Sequence, residues 1–362
     1  MSAFSSEIAL AVVVHRAPGH RRHLACHAAD AGFICAPGLD LPQMLIIRII
    51  RCSPMSSGAV ALQTNVSIDH GGSKMSQSPT WLLDHARNEF SQCGEDGILE
   101  KILEVLPNTD RWCVEFGAWD GQHMSNTCRL TESCGYSSVL IEGSAKKASD
   151  LEDRYSQRSD VYPICRFVGF DSDDNLDTIL RETPIPQDFD VLSVDIDGND
   201  YHVWNAVQEY RPKVVVIEFN PTIPTEVDFV QPADSAVSQG CSLKALTRLG
   251  TEKGYELVCV TLCNAIFVRQ EYFALFGISD NRPETLRTDT SAVTWIFSGF
   301  DGRVLLQGSQ KLPWHNLQIR PSHVQQMPGM FRVYPHEYGR VRKLAFKLYK
   351  KVWNALGTRD AA

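Results

Sequence analysis

Trp-Cys-Val-Glu-Phe-Gly-Ala-Trp-Asp-Gly, residues 112–121, is the stretch that decides the fold. Its first five residues are mostly apolar, which predicts a buried strand, and Glu115 lies near the end of that strand. Gly117 and Gly121 predict a tight turn, and the residues from Met124 onward predict a helix. A strand, a glycine turn and a helix form the first unit of a nucleotide-binding α/β sheet, whose ligand lies over the turn.

The turn departs from the dinucleotide-binding pattern at Trp119. That pattern has a second glycine at this position, because a pyrophosphate presses on the backbone there. A tryptophan argues against a diphosphate and favours a smaller nucleoside such as S-adenosylmethionine (SAM). A tight turn with no ligand is the alternative at this point.

Composition describes an ordinary globular protein. The 362 residues carry a net charge of −8, and 43% of them are hydrophobic. An acidic chain argues against a body that binds nucleic acid. The eleven cysteines include no Cys-x-x-Cys pair, so reduced, buried thiols are expected rather than a disulfide or zinc framework. No apolar run reaches the ~20 residues that a membrane span needs, and a cytoplasmic location is expected.

Four regions differ in their patterning. Residues 1–75 lack sustained periodicity and are expected to be disordered or an over-long translation start. Residues 79–270 are regular and are predicted to form the cofactor-binding domain. Residues 271–335 predict an irregular extension with a strand pair around Gly299–Gly302. Residues 336–362 contain a basic amphipathic helix predicted over 339–356.

Apolar segments follow the opening strand at the intervals of βαβ units. They predict strands at 138–141, 161–170, 189–196 and 213–219, and a closing hairpin at 255–260 and 265–268. The predicted fold is therefore α/β: a mostly parallel Rossmann-like sheet with a C-terminal antiparallel hairpin and helices on both faces. This is the class I methyltransferase arrangement, whereas a nicotinamide dehydrogenase more often continues with a second βαβ half.

Five short motifs in this order resemble the FkbM-type SAM-dependent methyltransferases. They are Glu-Phe-Gly-Ala-Trp-Asp-Gly at 115–121, Ser-Asn-Thr at 125–127, Leu-Ile-Glu-Gly at 140–143, Asp-Ile-Asp-Gly-Asn-Asp at 195–200 and Ile-Glu-Phe-Asn-Pro at 217–221. The resemblance covers residues 85–270. It implies a methyltransferase that uses SAM, and characterised relatives methylate hydroxyl oxygens of polyketides or sugars.

The candidate cofactor residues lie at the predicted strand ends. Glycines let the backbone approach the methionine part of SAM, and an acid after the second strand can accept both ribose hydroxyls. Acids after the third strand are candidates for the adenine edge. The set is Glu115, Gly117, Ala118, Asp120, Gly121, Ser125, Asn126, Glu142, Asp171 and Asp174.

Asp195, Asp197 and His202 are the candidate catalytic residues. Asp195 is predicted inside an apolar strand. A buried carboxylate there costs several kcal/mol unless it is paired with a cationic cofactor, a metal or a hydrogen-bonded substrate. Asp197 is also a candidate base, although it and Asp200 can equally cap the next helix. His202 can act as a general base, but a packed or surface histidine is the commoner case.

Metal assistance is a further alternative, which the sequence does not favour. Asp195, Glu218 and Asn220 offer the oxygen ligands that Mg²⁺ takes in catechol-type O-methyltransferases. Their spacing differs from that of those enzymes.

The expected activity is transfer of a methyl group from SAM to a hydroxyl of a small molecule or glycan, with no nucleic-acid partner. A nicotinamide-dependent oxidoreductase and a binding module that has lost catalysis are the rivals. The basic tail helix leaves two interpretations open. It can contact acidic membrane lipids or a nucleic acid. The sequence favours the other interpretation, a helix packed on the domain or on a second copy with its charges solvated.

Overall fold

The computed structural model describes residues 10–15, 21–26 and 78–357. The chain divides into two units, Met1–His70 and Gly71–Ala362. In the first unit, strands β1 (Leu10–His15) and β2 (Arg21–Cys26) pair antiparallel. The remainder of the predicted N-terminal extension lies outside the described residues. The prediction that it is disordered or a false start therefore concerns residues that the structure does not describe.

A seven-stranded sheet forms the centre of the second unit. Its order is β5-β4-β3-β6-β7-β9-β8, with β9 antiparallel to both of its neighbours and the other pairings parallel. The strands are β3 Trp112–Phe116, β4 Ser137–Glu142, β5 Val161–Cys165, β6 Val191–Val194, β7 Val214–Glu218, β8 Tyr255–Val260 and β9 Asn264–Arg269. Counted along the chain this order is 3-2-1-4-5-7-6, so the predicted fold class is confirmed.

Both faces of the sheet are covered. Side chains alternate between the faces of a strand, and in β4 Val139 and Ile141 belong to the main hydrophobic core. Leu140, between them, belongs to a second cluster with Leu151 and Tyr155 of helix α3 (Ala145–Tyr155). Burial on both sides explains why the parallel strands read as continuous apolar runs.

Short helices connect the strands. They are α1 Glu95–Val105, α2 Cys128–Ser133, α3 Ala145–Tyr155, α4 Leu176–Leu180, α5 Asp200–Ala206, α6 Leu243–Glu252, α7 Gln270–Phe273 and α8 Pro283–Leu286. The spacing of apolar residues over 81–90 predicts a helix, which is wrong: the structure forms only a 3₁₀ segment at Trp81–His85. Beyond it, the carboxylate of Asp96 accepts hydrogen bonds from the backbone N–H groups of residues 89–91 and fixes them as a loop.

Two other predicted boundaries are wrong. The helix after the glycine turn begins at Cys128 rather than Met124, because Met124 has a positive φ of 56°. The third parallel strand ends at Cys165 rather than Phe170. Among the described residues its one neighbouring strand, β4, ends at Glu142, so the residues beyond Arg166 have no described strand to pair with.

The C-terminal part contains two small hairpins and a long helix. The hairpins are β10 Thr294–Ser298 with β11 Val304–Gly308, and β12 Lys311–Leu312 with β13 Leu317–Gln318. Helix α9 spans Arg340–Gly357. Phe346 and Tyr349 of α9 pack on Phe331, with ring centroids 5.3 and 5.4 Å apart.

Across the described residues, no helix combines the length and the apolar character needed to cross a membrane.

Candidate functional site

The glycine turn after β3 lies against the segment that follows β6. Gly117 has a φ of 77°, and a Cβ at this position would lie 1.9 Å from the carbonyl oxygen of Asp195. Gly121 has a φ of 71° and packs on Leu151 and Tyr155 of α3. Gly117 therefore allows the turn to touch Asp195, while Gly121 allows it to touch a helix.

Glu115 is buried and holds the loop before α2. Its carboxylate accepts hydrogen bonds from the Ser125 hydroxyl, the Asn126 backbone N–H (2.8 Å) and the Thr127 hydroxyl (2.8 Å). The Asn126 amide donates to the Ser193 hydroxyl at 3.1 Å. Burial raises the pKa of Glu115. These contacts shape the loop that leads from the turn into α2.

Glu142, at the end of β4, is paired with the turn. Its carboxylate accepts from the Trp119 N–H at 2.9 Å and from the Ser144 N–H at 2.7 Å. The Trp119 ring is 45% exposed, and the Lys147 ammonium lies 3.7 Å from its centroid. Within the turn, Asp120 accepts from two N–H groups further along the chain, those of residues 122 and 123.

The loop after β5 carries Asp171 and Asp174, the residues proposed for the adenine edge. Asp174 accepts from the Asp171 N–H at 3.1 Å and so stabilises its own loop. The prediction passed over Phe167, which is 58% exposed and lies 3.5 Å from the Cβ position of Gly143. An exposed ring beside the Glu142–Gly143 corner is a surface on which a nucleobase can stack, and the sequence alone contains no signal for it.

Three carboxyl groups meet at the ends of β6 and β7. One oxygen each of Asp195, Asp197 and Glu218 lies within 4.8 Å of the others. Asp195 follows β6 rather than lying inside it, which corrects the predicted position. Burial, reinforced by the neighbouring carboxylates, raises the pKa of both Asp195 and Glu218. Both shifts favour the protonated form, so the pair holds a proton more readily than ordinary carboxyl groups do.

Asp200 and His202, close to this cluster in sequence, have other contacts. Asp200 accepts from the backbone N–H groups of Ile196 and Gly198, each at 2.9 Å, which fixes the loop before α5. Burial raises its pKa to about 6. His202 Nε2 donates to the carbonyl oxygen of Gln231 at 2.8 Å. The role of His202 as a base stays a prediction.

A cavity of about 360 Å³ opens beside the cluster. Its walls include Asp197, Glu218 and Asn220 from the strand ends and the segment 238–240. Trp314 and His315, from a region in which the sequence showed no pattern, also line it. Both are exposed, and no pattern in the sequence singled out these two residues.

Asn220 is less suited to a metal than the sequence suggested. Its amide oxygen accepts from the Thr222 N–H at 2.9 Å and from the Thr222 hydroxyl at 2.7 Å. Asp195, Asp197 and Glu218 are the oxygen ligands that remain, and Mg²⁺ takes such ligands. Since Asp195 and Glu218 favour their protonated forms, the cluster can equally serve proton transfer.

Residues 172–256 match the model of the Methyltransferase FkbM domain. This match confirms the resemblance on which the prediction rested. It covers the acidic cluster and most of the loops around it, whereas the glycine turn at 117–121 lies before it. No curated protein matches the chain.

Solved structures with a related arrangement are distant. The N-terminal domain of EvdMO1 with SAH bound has a TM-score of 0.34 and 11% identity, covering 51% of this chain and 82% of that one. The CMeT domain of citrinin polyketide synthase has a TM-score of 0.33 and 14% identity, covering 48% of this chain and 50% of that one. A SAM-dependent methyltransferase from Aquifex aeolicus has a TM-score of 0.30 and 11% identity, covering 47% of this chain and 88% of that one. At these scores the strand order remains the evidence for the fold.

Proposed function

We propose that this protein transfers the methyl group of SAM to a hydroxyl oxygen of a small molecule or glycan. The contact between Gly117 and Asp195 supports this most directly. It joins the turn expected to hold the methyl donor to the carboxyl groups expected to take up the acceptor's proton. In parallel sheets ligands bind at the carboxyl ends of the strands, and both features lie there.

The described residues fit a nucleoside of this kind. SAM supplies an electrophilic methyl group when bound. The turn at Gly117, which packs against Asp195 because a side chain there has no space, would hold the methionine part. Glu142 has carboxylate lone pairs left for the ribose hydroxyls, and Phe167 offers its exposed ring to the adenine. Trp119 forms a further wall beside Lys147.

Proton removal falls to the acidic cluster. A raised pKa makes Asp195 a stronger base than an ordinary carboxylate and brings it closer to the optimum for proton transfer. Glu218 lies beside Asp195 in the cluster, and its own raised pKa favours a proton there. Asp197, which lines the cavity and is exposed, is the second candidate base. This route needs no metal ion.

The cavity suggests how an acceptor is held. Trp314 offers an aromatic surface, and the polar groups of Asp197, Glu218 and Asn220 lie on the same cavity. Aromatic stacking combined with hydroxyl-accepting carboxylates suits a sugar or another polyhydroxylated ring. Its volume of about 360 Å³ is within the usual range for small-molecule sites.

Calorimetry of the full chain separates this proposal from its rivals. The titrants are SAM, SAH and NAD. If the protein binds SAH but not NAD, the methyltransferase is supported. If it binds NAD, an oxidoreductase is supported, and if it binds none of the three, a module that has lost catalysis is supported. Phe167→Ala is expected to weaken SAH binding, whereas Phe300→Ala, at a residue 92% exposed on the β10–β11 hairpin, is the matched control.

Labelled SAM with panels of sugars and hydroxylated small molecules then identifies the acceptor. Asp195→Asn is expected to lower kcat about 10²–10⁴-fold while SAH still binds, because it removes the base and keeps the shape. Asp150→Asn changes an exposed acid of α3 and serves as control. Full activity in the Asp195 variant would reassign the base to Asp197, and a chelator is expected to leave the rate unchanged.

We also propose that α9 binds the surface of an acidic membrane. The helix carries six cationic residues and no acidic one, whereas the whole chain has a net charge of −8. Val341, Leu344, Leu348 and Val352 share one stripe and are 84, 63, 58 and 59% exposed. An uncovered apolar stripe flanked by cations is typical of helices that lie in the lipid headgroup region.

Sedimentation with vesicles tests this second proposal. Vesicles rich in phosphatidylserine are expected to bind the protein and neutral phosphatidylcholine vesicles to bind little, with binding falling as salt rises. The double variant Leu344→Ser, Leu348→Ser is expected to lose binding, and Leu275→Ser, a change at an exposed leucine elsewhere, to keep it. Self-association in solution that disappears in the double variant would assign the stripe to a dimer instead.

A further inference from the structure

Two cysteines that are 170 positions apart in sequence lie in contact. The sulfur atoms of Cys93 and Cys263 are 3.7 Å apart. Cys93 is half-buried and reachable from solvent, while Cys263 is 8% exposed. Within residues 78–357 no other two thiols touch. The pair is therefore a specific feature of the fold and separate from the remaining buried cysteines.

The contact is held from both sides by Glu95 at the start of α1. Its carboxylate accepts from the Cys93 N–H at 2.8 Å, from the Thr261 hydroxyl at 2.7 Å and from the Asn264 amide at 3.0 Å. One side chain thus fixes the loop that carries Cys93 and the hairpin turn that carries Cys263. The two sulfur atoms are prevented from drifting apart.

The hairpin turn also adjoins the acidic cluster. The carbonyl oxygen of Cys263 accepts from the Phe219 N–H at 2.8 Å, and Asn264 pairs with Glu218 in the sheet. Phe219 directly follows Glu218 in the chain. A change in the position of Cys263 is therefore transmitted through one hydrogen bond to the strand end that carries Glu218.

A soft metal ion is the rival occupant, since Glu95 completes a group of three possible ligands with the two thiols. The oxygens of Glu95 are already engaged by three donors, from Cys93, Thr261 and Asn264. The part of the chain that the structure describes supplies no fourth ligand to this group, whereas structural zinc sites have four. The geometry favours a reaction between the sulfur atoms.

We propose that Cys93 and Cys263 form a redox-active pair that closes to a disulfide beside the acidic cluster. Closure brings the sulfur atoms from 3.7 Å to the bonded distance of about 2.05 Å, a small movement for two loop residues. The oxidant is a peroxide. Cys93 reacts first to give a sulfenic acid and water, and the Cys263 sulfur then displaces a second water as the S–S bond forms. Two thiols and one hydrogen peroxide thus yield one disulfide and two water molecules.

Cys93 is the residue expected to react first. It is the more accessible of the two, and the hydrogen bond from the Cys263 thiol lowers its pKa. The thiolate is the form that attacks a peroxide. Cys263 is then placed at contact distance to resolve the sulfenic acid.

Peptide mass spectrometry of the full-length protein tests the proposal. The purified, reduced protein is treated with one equivalent of hydrogen peroxide, its free thiols are alkylated, and the digest is read without reduction. A crosslinked peptide joining residues 93 and 263, with an intact mass 2 Da lower, is the expected result. Dithiothreitol is expected to reverse it. The crosslink is lost in Cys93→Ser and in Cys263→Ser, and it persists in Cys165→Ser, a change at an exposed thiol.

Two further readouts guard against variants that fail to fold. The disulfide closes a long loop, so the oxidised wild type is expected to melt several degrees above the reduced form. Hydrogen exchange at the 215–220 peptide is expected to slow on oxidation, because the acceptor of the Phe219 N–H is fixed. The proposal is overturned if oxidation falls on Cys165 or Cys134 without a 93–263 crosslink. It is also overturned if stoichiometric zinc copurifies with the wild type and is lost in Cys93→Ser. Neither readout depends on the proposed methyl transfer.

Discussion

Replacing Gly117 by alanine tests whether the turn requires glycine for the reason that the structure gives. Gly117 has a φ of 77°, in the left-handed region, and its missing Cβ position lies 1.9 Å from the carbonyl oxygen of Asp195. Both conditions penalise a side chain, and they are independent. The backbone strain belongs to residue 117 itself, and the steric overlap belongs to its contact with the segment after β6.

The expected cost can be estimated from these two terms. A residue with a Cβ pays about 1–2 kcal/mol for a left-handed backbone. Forcing a methyl group into a packed site adds about 1–3 kcal/mol. Gly117→Ala is therefore expected to lower the free energy of unfolding by about 2–5 kcal/mol. Since the overlap is with backbone rather than a flexible side chain, the turn must shift, and SAH affinity is expected to fall at least tenfold.

Urea unfolding and calorimetry with SAH measure the two effects. Gly329→Ala is the matched control, because its Cβ would meet nothing within 4 Å and its φ is not positive. That variant is expected to stay within about 0.5 kcal/mol of the wild type. The reasoning is refuted if Gly117→Ala is as stable as Gly329→Ala. Lost stability with unchanged SAH binding would leave the strain argument intact and place the cofactor elsewhere.

Three further predictions concern buried charges. The pKa of Glu218 is raised, so its contribution to stability is complete below the ordinary carboxyl pKa of about 4 and is lost as pH rises. Glu218→Gln is expected to flatten the decline in urea stability from pH 5 to 9, and an unchanged slope would contradict the shift. Arg287 donates to the carbonyl oxygens of residues 221 and 223, so Arg287→Ala is expected to lower the free energy of unfolding in urea by about 2–3 kcal/mol. Arg282→Ala, a change at an exposed arginine, is the control and is expected to lower it little. Lys213 pairs with the buried Asp190 at 2.7 Å, so Asp190→Ala is expected to lower the free energy of unfolding by about 3–5 kcal/mol. Adding Lys213→Met is expected to restore part of this loss, because it removes the unpaired buried charge. If the effects of the two substitutions simply add, the ion pair does not contribute as proposed.

The sheet was predictable because its strands follow one physical rule. Strands buried on both faces must be apolar along their whole length, so β6 and β7 are visible as continuous runs. The boundaries were less predictable where a tertiary contact decides them. Asp96 holds the loop at 89–91 open, and β5 ends where β4 stops offering a partner. Neither contact leaves a local pattern in the sequence.

The site divides in the same way. The sequence predicted the acids at the strand ends. Asp195 and Glu218 lie close together because they follow or end the neighbouring parallel strands β6 and β7. Phe167, Trp314 and His315 were missed, because an isolated aromatic residue in an unpatterned segment gives no indication of what it faces. His202 lies in the first turn of α5, and its contact with the carbonyl oxygen of Gln231 could not be read from the sequence.

The acids at the strand ends perform two different tasks, and their contacts separate them. Glu115 and Glu142 accept backbone N–H groups at 2.7–2.9 Å, as does Asp200, and each fixes a loop over the sheet. Such contacts are expected to lower a carboxyl pKa, yet burial raises it for Glu115 and Asp200. Asp195 and Glu218 have each other instead, beside a cavity. The residues that shape the turn can thus be distinguished from the pair that has no such backbone contacts among the described residues. Substitutions in that pair are expected to change kcat without changing the binding of SAH.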